Sequence, residues 1–418
     1  MRTGVTPRRT TFLLGAGASW DAHLPLSAEL TQKLTEEIDT YRAGEVAQAL
    51  HVVIGSIIAH ETRLGASPYA GVDVERAFSA IKMLSERNRL EVAPFVGNWT
   101  DTSLTSRNTL PAFWGKNFKK AMGATFDGDV ERQFRSGVLA LTSASTGDGI
   151  YRSLMREMMN GLVRILMVED ASRFEYLCPI FDVDGVRIAT LNYDLGLELA
   201  ASLRGTKVDT GVENWRGGFD WHWNGEGVPL LKLHGSIDWT VEASSSAADR
   251  NQPGFKVPKV LVGDRLPGQQ VDPGIIFGAR EKLRADGPFL AMLSEFGRWL
   301  RDTDDLIVVG YSFRDDHINV SVRDWLGDVT GKTMTIIDPH FPELGNYDPT
   351  DPFTQALNRA MHPDGPPREQ PDGTRTVGPE LADQFKIVRS GAADALPLVC
   401  AGVANDQRDP IDPTGRDA

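Results

Sequence analysis

The chain has 418 residues, 41% of them hydrophobic, which is enough to bury a sizeable core in one large or two medium domains. Its 57 acidic and 44 basic residues give a net charge of −13, which argues against a continuous basic surface, so no direct nucleic-acid binding is expected of the chain alone. No run of about 18 apolar residues occurs, and no signal-type apolar core follows the opening MRTGVTPRRT, so the expectation is a cytoplasmic protein without a membrane span.

In chain order, the first predicted element is a short strand, Thr11 to Leu14, that runs into Gly15-Ala16-Gly17-Ala18-Ser19 and then a helix from about Leu26. From Ser27 to about Arg173 the apolar residues recur at helical spacing, as in VERAFSAIKMLSERN and YRSLMREMMNGLVRILM, which predicts a helical module inserted at about 27–175. Loops are expected within it at PFVGNWTDTS and PAFWGKNF. Strand patterns return at Val186–Asp194 and Val228–Ser236, with the helix-compatible LGLELAASLRG between them, in βαβ order. Then follow GIIFG, the helical PFLAMLSEFGRWLRD, the apolar strand Asp305–Phe313, a helix through DDHINVSVRDWLGD and the strand TMTIIDP. Such β-branched runs suit strands covered on both faces, so the fold class expected is α/β with a parallel sheet covered by helices. The domain reading is one α/β domain over residues 1–340, carrying the helical module, and a Pro-, Gly- and Asp-rich extension over 341–418, with one strand at FKIV and a disordered end from Asp406.

A strand that ends in Gly15-Ala16-Gly17-Ala18-Ser19 before a helix has the makings of an anion site, although its spacing departs from GxGxxG and on its own the stretch is a weak signal against a plain tight turn. Ligands of open α/β sheets sit beyond the carboxyl ends of the strands, which singles out Gly310 and Ser312 after the strand LIVV. Asp338, at the end of TIID, is placed either to hold a ribose or to open a turn before Pro339. Asn192 and Asp194 in TLNYD and His234 in KLHGS are polar groups at strand ends, where they are capped structural residues or site residues. For Asp194 the two roles are catalytic support and capping of the following helix. The tryptophans 215, 221, 223 and 239 read as core and hairpin residues, and DVERAF as a plain helix start with acids in its first turn. Clustered carboxylates at metal-binding spacing, as a nuclease would need, are not found.

Two cysteines without a CxxC pair, and histidines without HExxH or HxxxH spacing, predict no disulfide framework and no metal site.

Taken in order, GAGAS, Leu24-Pro25, TLNYD, KLHGS, GYSFRDDHIN and IIDP resemble the SIR2-like domains of bacterial anti-phage defence proteins, relatives of the sirtuins, over residues 10 to 340. The resemblance implies a Rossmann-like sheet with a helical module and NAD as ligand. It assigns Gly15, Ala16, Gly17 and Ser19 to the phosphate-binding turn, Gly310 and Ser312 to the second nucleotide loop, and Asp338 to the adenosine ribose. Asn192 falls beside the nicotinamide ribose, and His234 matches the catalytic histidine.

Two departures separate the chain from protein-deacylating sirtuins: it lacks their four-cysteine zinc module, and Leu26-Ser27-Ala28-Glu29 stands where they carry Asp-Phe-Arg. In the defence relatives the reaction is hydrolysis of NAD to ADP-ribose and nicotinamide, through an oxocarbenium-like centre and without metal. Asn192 would position water or ribose, His234 would act as general base, and Asp194 would orient both. A deacylase, an ADP-ribosyltransferase and a non-catalytic NAD or ADP-ribose sensor are the alternatives. The resemblance further implies a homo-oligomer held inactive until infection, with a HerA-type DNA-translocase ATPase as partner in an abortive response.

Overall fold

The computed structural model describes residues 8–41, 44–86, 147–216, 218–242, 259–263, 272–275, 288–326, 331–341 and 385–408. The loops expected at PFVGNWTDTS and PAFWGKNF lie outside the described residues, as do residues 409–418 of the end expected to be disordered from Asp406; Asp406 to Arg408 instead close a helix. The chain divides into two units, one of Met1–Leu24, Val168–Ile276 and Lys282–Ala418, the other of Pro25–Met167 and Phe277–Glu281.

The described part of the second unit is helical: α1 (Ser27–Tyr41), α2 (Glu45–Arg63), α3 (Val74–Ser85) and α4 (Gly147–Leu166). On α4, Leu154, Met158, Leu162 and Leu166 recur every four residues and are all buried, forming the stripe that packs on α1, α2 and α3. The helix start at DVERAF is a capped N-terminus, with the Asp73 carboxylate accepting from the N–H groups of Glu75 (2.8 Å) and Arg76 (3.4 Å).

In the first unit, seven strands form one sheet in the order β10-β9-β8-β1-β2-β4-β3, and every pairing in it is parallel. They are β1 (Thr10–Leu14), β2 (Arg187–Thr190), β3 (Val208–Asp209), β4 (Val228–Lys232), β8 (Asp305–Val309), β9 (Thr333–Ile337) and β10 (Phe385–Val388). Three more strands, β5 (Gly235–Glu242), β6 (Lys259–Val262) and β7 (Asp272–Ile275), make a separate antiparallel sheet. Helices α5 (Gly196–Leu203), α6 (Phe289–Arg301), α7 (Asp316–Leu326) and α8 (Ala392–Arg408) belong to the same unit. This is an α/β, Rossmann-like architecture, and β1, all five residues of which are buried, lies in the interior of its sheet. From β1 the chain builds one side through β2 and β4, then the other through β8, β9 and β10, so the strand order reverses between β1 and β8. Trp215, Trp221 and Trp239 are buried in the main apolar cluster, and Trp223 packs against it, stacked on Trp299.

The helix expected from about Leu26 is α1, which opens at Ser27; before it, Ala16–Ser19 forms a single 3-10 turn and His23 takes a left-handed conformation (φ 59°). One local expectation is corrected: Val228–Ser236 is not one strand. The chain leaves the parallel sheet at Leu233-His234 and enters β5 through Gly235, whose φ of 85° suits glycine.

Candidate active site

Because β9, β8, β1, β2 and β4 run parallel, their carboxyl ends share one edge of the sheet. Every residue singled out from the sequence follows one of these ends: Asp338 after β9, Gly310 and Ser312 after β8, Gly15 to Ser19 after β1, Asn192 and Asp194 after β2, and His234 after β4. The reversal of strand order between β1 and β8 makes this edge the place where open α/β sheets form a ligand crevice.

At that point the two glycine-bearing ends lie against each other. Gly15 N–H donates to Val309 O and Gly17 N–H to Gly310 O, each at 2.9 Å. A Cβ on Gly17 would lie 2.8 Å from Gly310 Cα, and one on Gly310, whose φ is 57°, would lie 2.4 Å from Ala18 N. The contact between the strand ends is itself enough to require glycine at positions 17 and 310. Ala16 and Ser312 are the exposed residues of the two turns. Asp338 is half-buried, and its Oδ1 accepts the His340 N–H (2.7 Å), which is the turn-opening role.

Ser19 is buried and faces the end of β2. Its Oγ donates to Asp194 Oδ2 (2.8 Å) and accepts from Asn192 Nδ2 (2.9 Å). This chain of bonds orients the Asn192 amide with its nitrogen inward and leaves its oxygen to accept from water or a sugar hydroxyl. The other carboxylate oxygen of Asp194 accepts the Gly196 N–H (2.9 Å) and so ties down the start of α5. From the segment Ala171–Asp182, Tyr176 donates its hydroxyl to Ala18 O (2.6 Å) and braces the turn. Burial, then the Asp194 and Asp21 carboxylates, push this phenol well above its usual range and keep it protonated.

His234 is buried, and its Nε2 lies 2.7 Å from Asp315 Oδ2, also buried. An ionised carboxylate can only accept, so Nε2 carries the proton and Nδ1 is the basic nitrogen of the neutral ring. Asp315 is held in turn: its Oδ1 accepts the His317 N–H (3.1 Å), and its own N–H donates to the Tyr311 hydroxyl (3.2 Å). Sequence reasoning missed Asp315, although it lies inside the motif GYSFRDDHIN. Of two adjacent aspartates, the buried one at 315 faces the histidine, while Asp316 is exposed at the start of α7.

Among the described residues no group of three or more His, Cys, Asp or Glu is placed to hold a metal ion, and no helix is long and apolar enough to cross a membrane. A cavity of about 410 Å³ opens beside the amino ends of β2 and β4, between Arg187, Asp209, Trp223 and Trp299, away from the strand ends just described.

Residues 186–341, which carry Asn192, His234, Asp315 and Gly310, match the model of the SIR2-like domain. Solved structures similar to this chain include a SIR2 homolog in complex with NAD, at 12% identity and a TM-score of 0.35, covering 96% of this chain and 91% of that one. A mutant Sir2 homologue in complex with 2′-O-acetyl ADP ribose is similar at 12% identity and a TM-score of 0.37, covering 97% and 96%. No curated protein matches the chain.

Proposed function

We propose that the chain is an NAD hydrolase that cleaves the nicotinamide glycosidic bond, releasing nicotinamide and ADP-ribose. The observation that carries this reading is the meeting, on one sheet edge, of an oriented amide and a carboxylate-bound imidazole. The SIR2-like match over that same edge supports NAD as the substrate.

In this reading the exposed faces of the Ala16 and Ser312 turns and the Asp338 carboxylate hold the ADP-ribose portion, leaving the nicotinamide ribose beside Asn192 and His234. The bond between ribose C1′ and the pyridinium nitrogen breaks, its electron pair leaving with nicotinamide as a neutral molecule. Water adds at C1′ and gives up a proton. The Asn192 amide oxygen orients that water or a ribose hydroxyl, and His234 accepts the proton at Nδ1 while Asp315 stabilises the imidazolium. Neither step needs a buried acyl-lysine or a protein acceptor.

Unchecked hydrolysis would deplete the host of NAD. We therefore further propose that the chain is held idle as a homo-oligomer, with a HerA-type ATPase as trigger in an abortive anti-phage response.

The test is NAD consumption with product identification for the wild type, Asn192→Ala and His234→Ala, first alone and then with the ATPase. Free nicotinamide and ADP-ribose in equal amounts, lost in both variants while NAD still binds, is the expected result. ADP-ribose attached to protein, or acyl transfer to it, would replace the hydrolase with a transferase or deacylase, and binding without turnover in every mixture would leave a sensor.

A further inference from the structure

One charged side chain behind the site is used by none of the steps above. Lys232, the last residue of β4, is fully buried. Its ammonium donates to the main-chain oxygen of Asp194 (2.6 Å) and to Glu198 Oε1 on α5 (2.8 Å). Glu198 Oε2 and the Oδ1 of Asp238, whose carboxylate acts on Glu198, are buried with no hydrogen-bond partner among the described residues. Burying an ion pair is often no better for stability than burying apolar residues of the same volume, and orphaned oxygens make it worse. Stability alone would not select this cluster, whereas geometry gives it a use.

The loop from Leu191 to Asp194 crosses the ligand edge, and its backbone is tied down residue by residue. Leu191 N–H donates to Leu14 O (2.9 Å), Asn192 N–H to Thr190 Oγ1 (3.0 Å), and Tyr193 O accepts from Ile237 N–H (3.0 Å). The bond from Lys232 to Asp194 O is the charged tie in this series, and charge-assisted bonds are the shorter and stronger kind. Asp194 is the residue whose carboxylate anchors Ser19 and, through it, Asn192. Lys232 lies two residues before His234 on the same stretch of chain. One ammonium thus links the loop that bears the amide to the strand that delivers the imidazole.

We propose that Lys232 is a positioning residue that fixes the spacing between the Asn192–Asp194 loop and the His234 turn; this rests on the hydrolase reading of the site. Lys232 is fully buried and acts through the Asp194 backbone, so removing it should slow the chemical step and leave NAD binding nearly intact.

The test uses the full chain under conditions in which the wild type turns over NAD, and compares Glu198→Gln with the double variant Lys232→Met, Glu198→Met. The double variant removes both charges together, so that no unpaired ion is stranded in the core. It is expected to melt cooperatively, to bind NAD within about threefold of the wild type, and to lose about tenfold or more in kcat. Glu198→Gln leaves an amide oxygen for the ammonium and keeps the bond to Asp194 O; it is expected to melt earlier for loss of the counter-charge, yet to stay within about threefold of the wild-type kcat while folded. A folded double variant with wild-type kcat overturns the proposal, as does a loss of NAD binding in step with kcat, which would mark Lys232 as merely structural. A wild type that binds NAD and never releases nicotinamide removes the hydrolase reading, and the positioning role with it.

Discussion

His234 Nε2 and Asp315 Oδ2 lie 2.7 Å apart across the crevice edge, the histidine from the turn after β4 and the aspartate from the residue before α7. The two are far apart in sequence and meet because β4 and β8 end on the same side of one parallel sheet. With Asp315 in place the imidazole has one tautomer, and its basic nitrogen is Nδ1. Asp315→Asn keeps the volume but no longer enforces a donor at Nε2, so kcat for NAD hydrolysis should fall about tenfold to a hundredfold with little change in NAD affinity. Steady-state kinetics with a parallel binding titration check this, and an unchanged kcat would mean that the histidine is not the base.

Gly310 is held in a left-handed conformation with the Gly17 backbone directly against it. Gly310→Ala adds both a strained φ and a clash with main-chain atoms that have no side-chain freedom to move aside. A destabilisation of about 2 to 4 kcal/mol is expected, seen as a lower urea midpoint, with NAD binding weakened because the two turns part. Gly297→Ala, in α6 with open space around its Cβ position, is the control and should be neutral or slightly stabilising.

These two cases mark what the sequence makes legible. β1 and β8 are readable because continuous apolar runs belong to strands covered on both faces, and the glycines after them punctuate clearly. Asn192, Asp194 and His234 stand out as polar residues at the ends of such strands. What escapes is pairing across the sheet. Nothing local distinguishes Asp315 from Asp316, and the selection is made by which of the two faces β4. Ser19 reads with the phosphates because it closes the glycine turn, yet its hydroxyl lies within the Asn192–Asp194 chain of bonds, a contact about 170 residues away along the chain that no spacing rule encodes. The buried ammonium of Lys232 was missed for the same reason, since a lysine before LHGS reads as an ordinary strand-end charge.

The thiols offer a check on the core that is independent of activity. Cys178 and Cys400 are both buried, and burial pushes both thiols up, Cys400 to about 12 with the Asp182 carboxylate adding to the effect. The thiolate is the reactive form, so near pH 8 the native protein should resist a disulfide-exchange reagent, while the chain unfolded in guanidinium should titrate both thiols at once. Rapid labelling of the native protein would show that the packing around α8 or the Ala171–Asp182 segment opens readily.

The last helix bears on the same turn that carries Ser19. Asp21, two residues further on, accepts the Ala393 N–H at the start of α8 (2.7 Å), supplying from a distant part of the chain the anion that a helix start favours. At the other end of α8, Gln407 donates to Arg8 O (3.3 Å) and Asp184 O (3.1 Å), while Ala395, Leu396 and Cys400 are buried between. β10, just before α8, pairs with β9 along its whole length. The C-terminal strand and helix therefore fold with the parallel sheet, and they reach the turn that carries Ser19 through Asp21. Asp21→Ala should lower stability by about 1 kcal/mol in a single cooperative urea transition with an unchanged slope, and should loosen NAD binding modestly because the turn loses its brace. Two separate transitions, or a loss of the helix with the sheet still folded, would show instead that α8 is an independent appendage with no hold on the site.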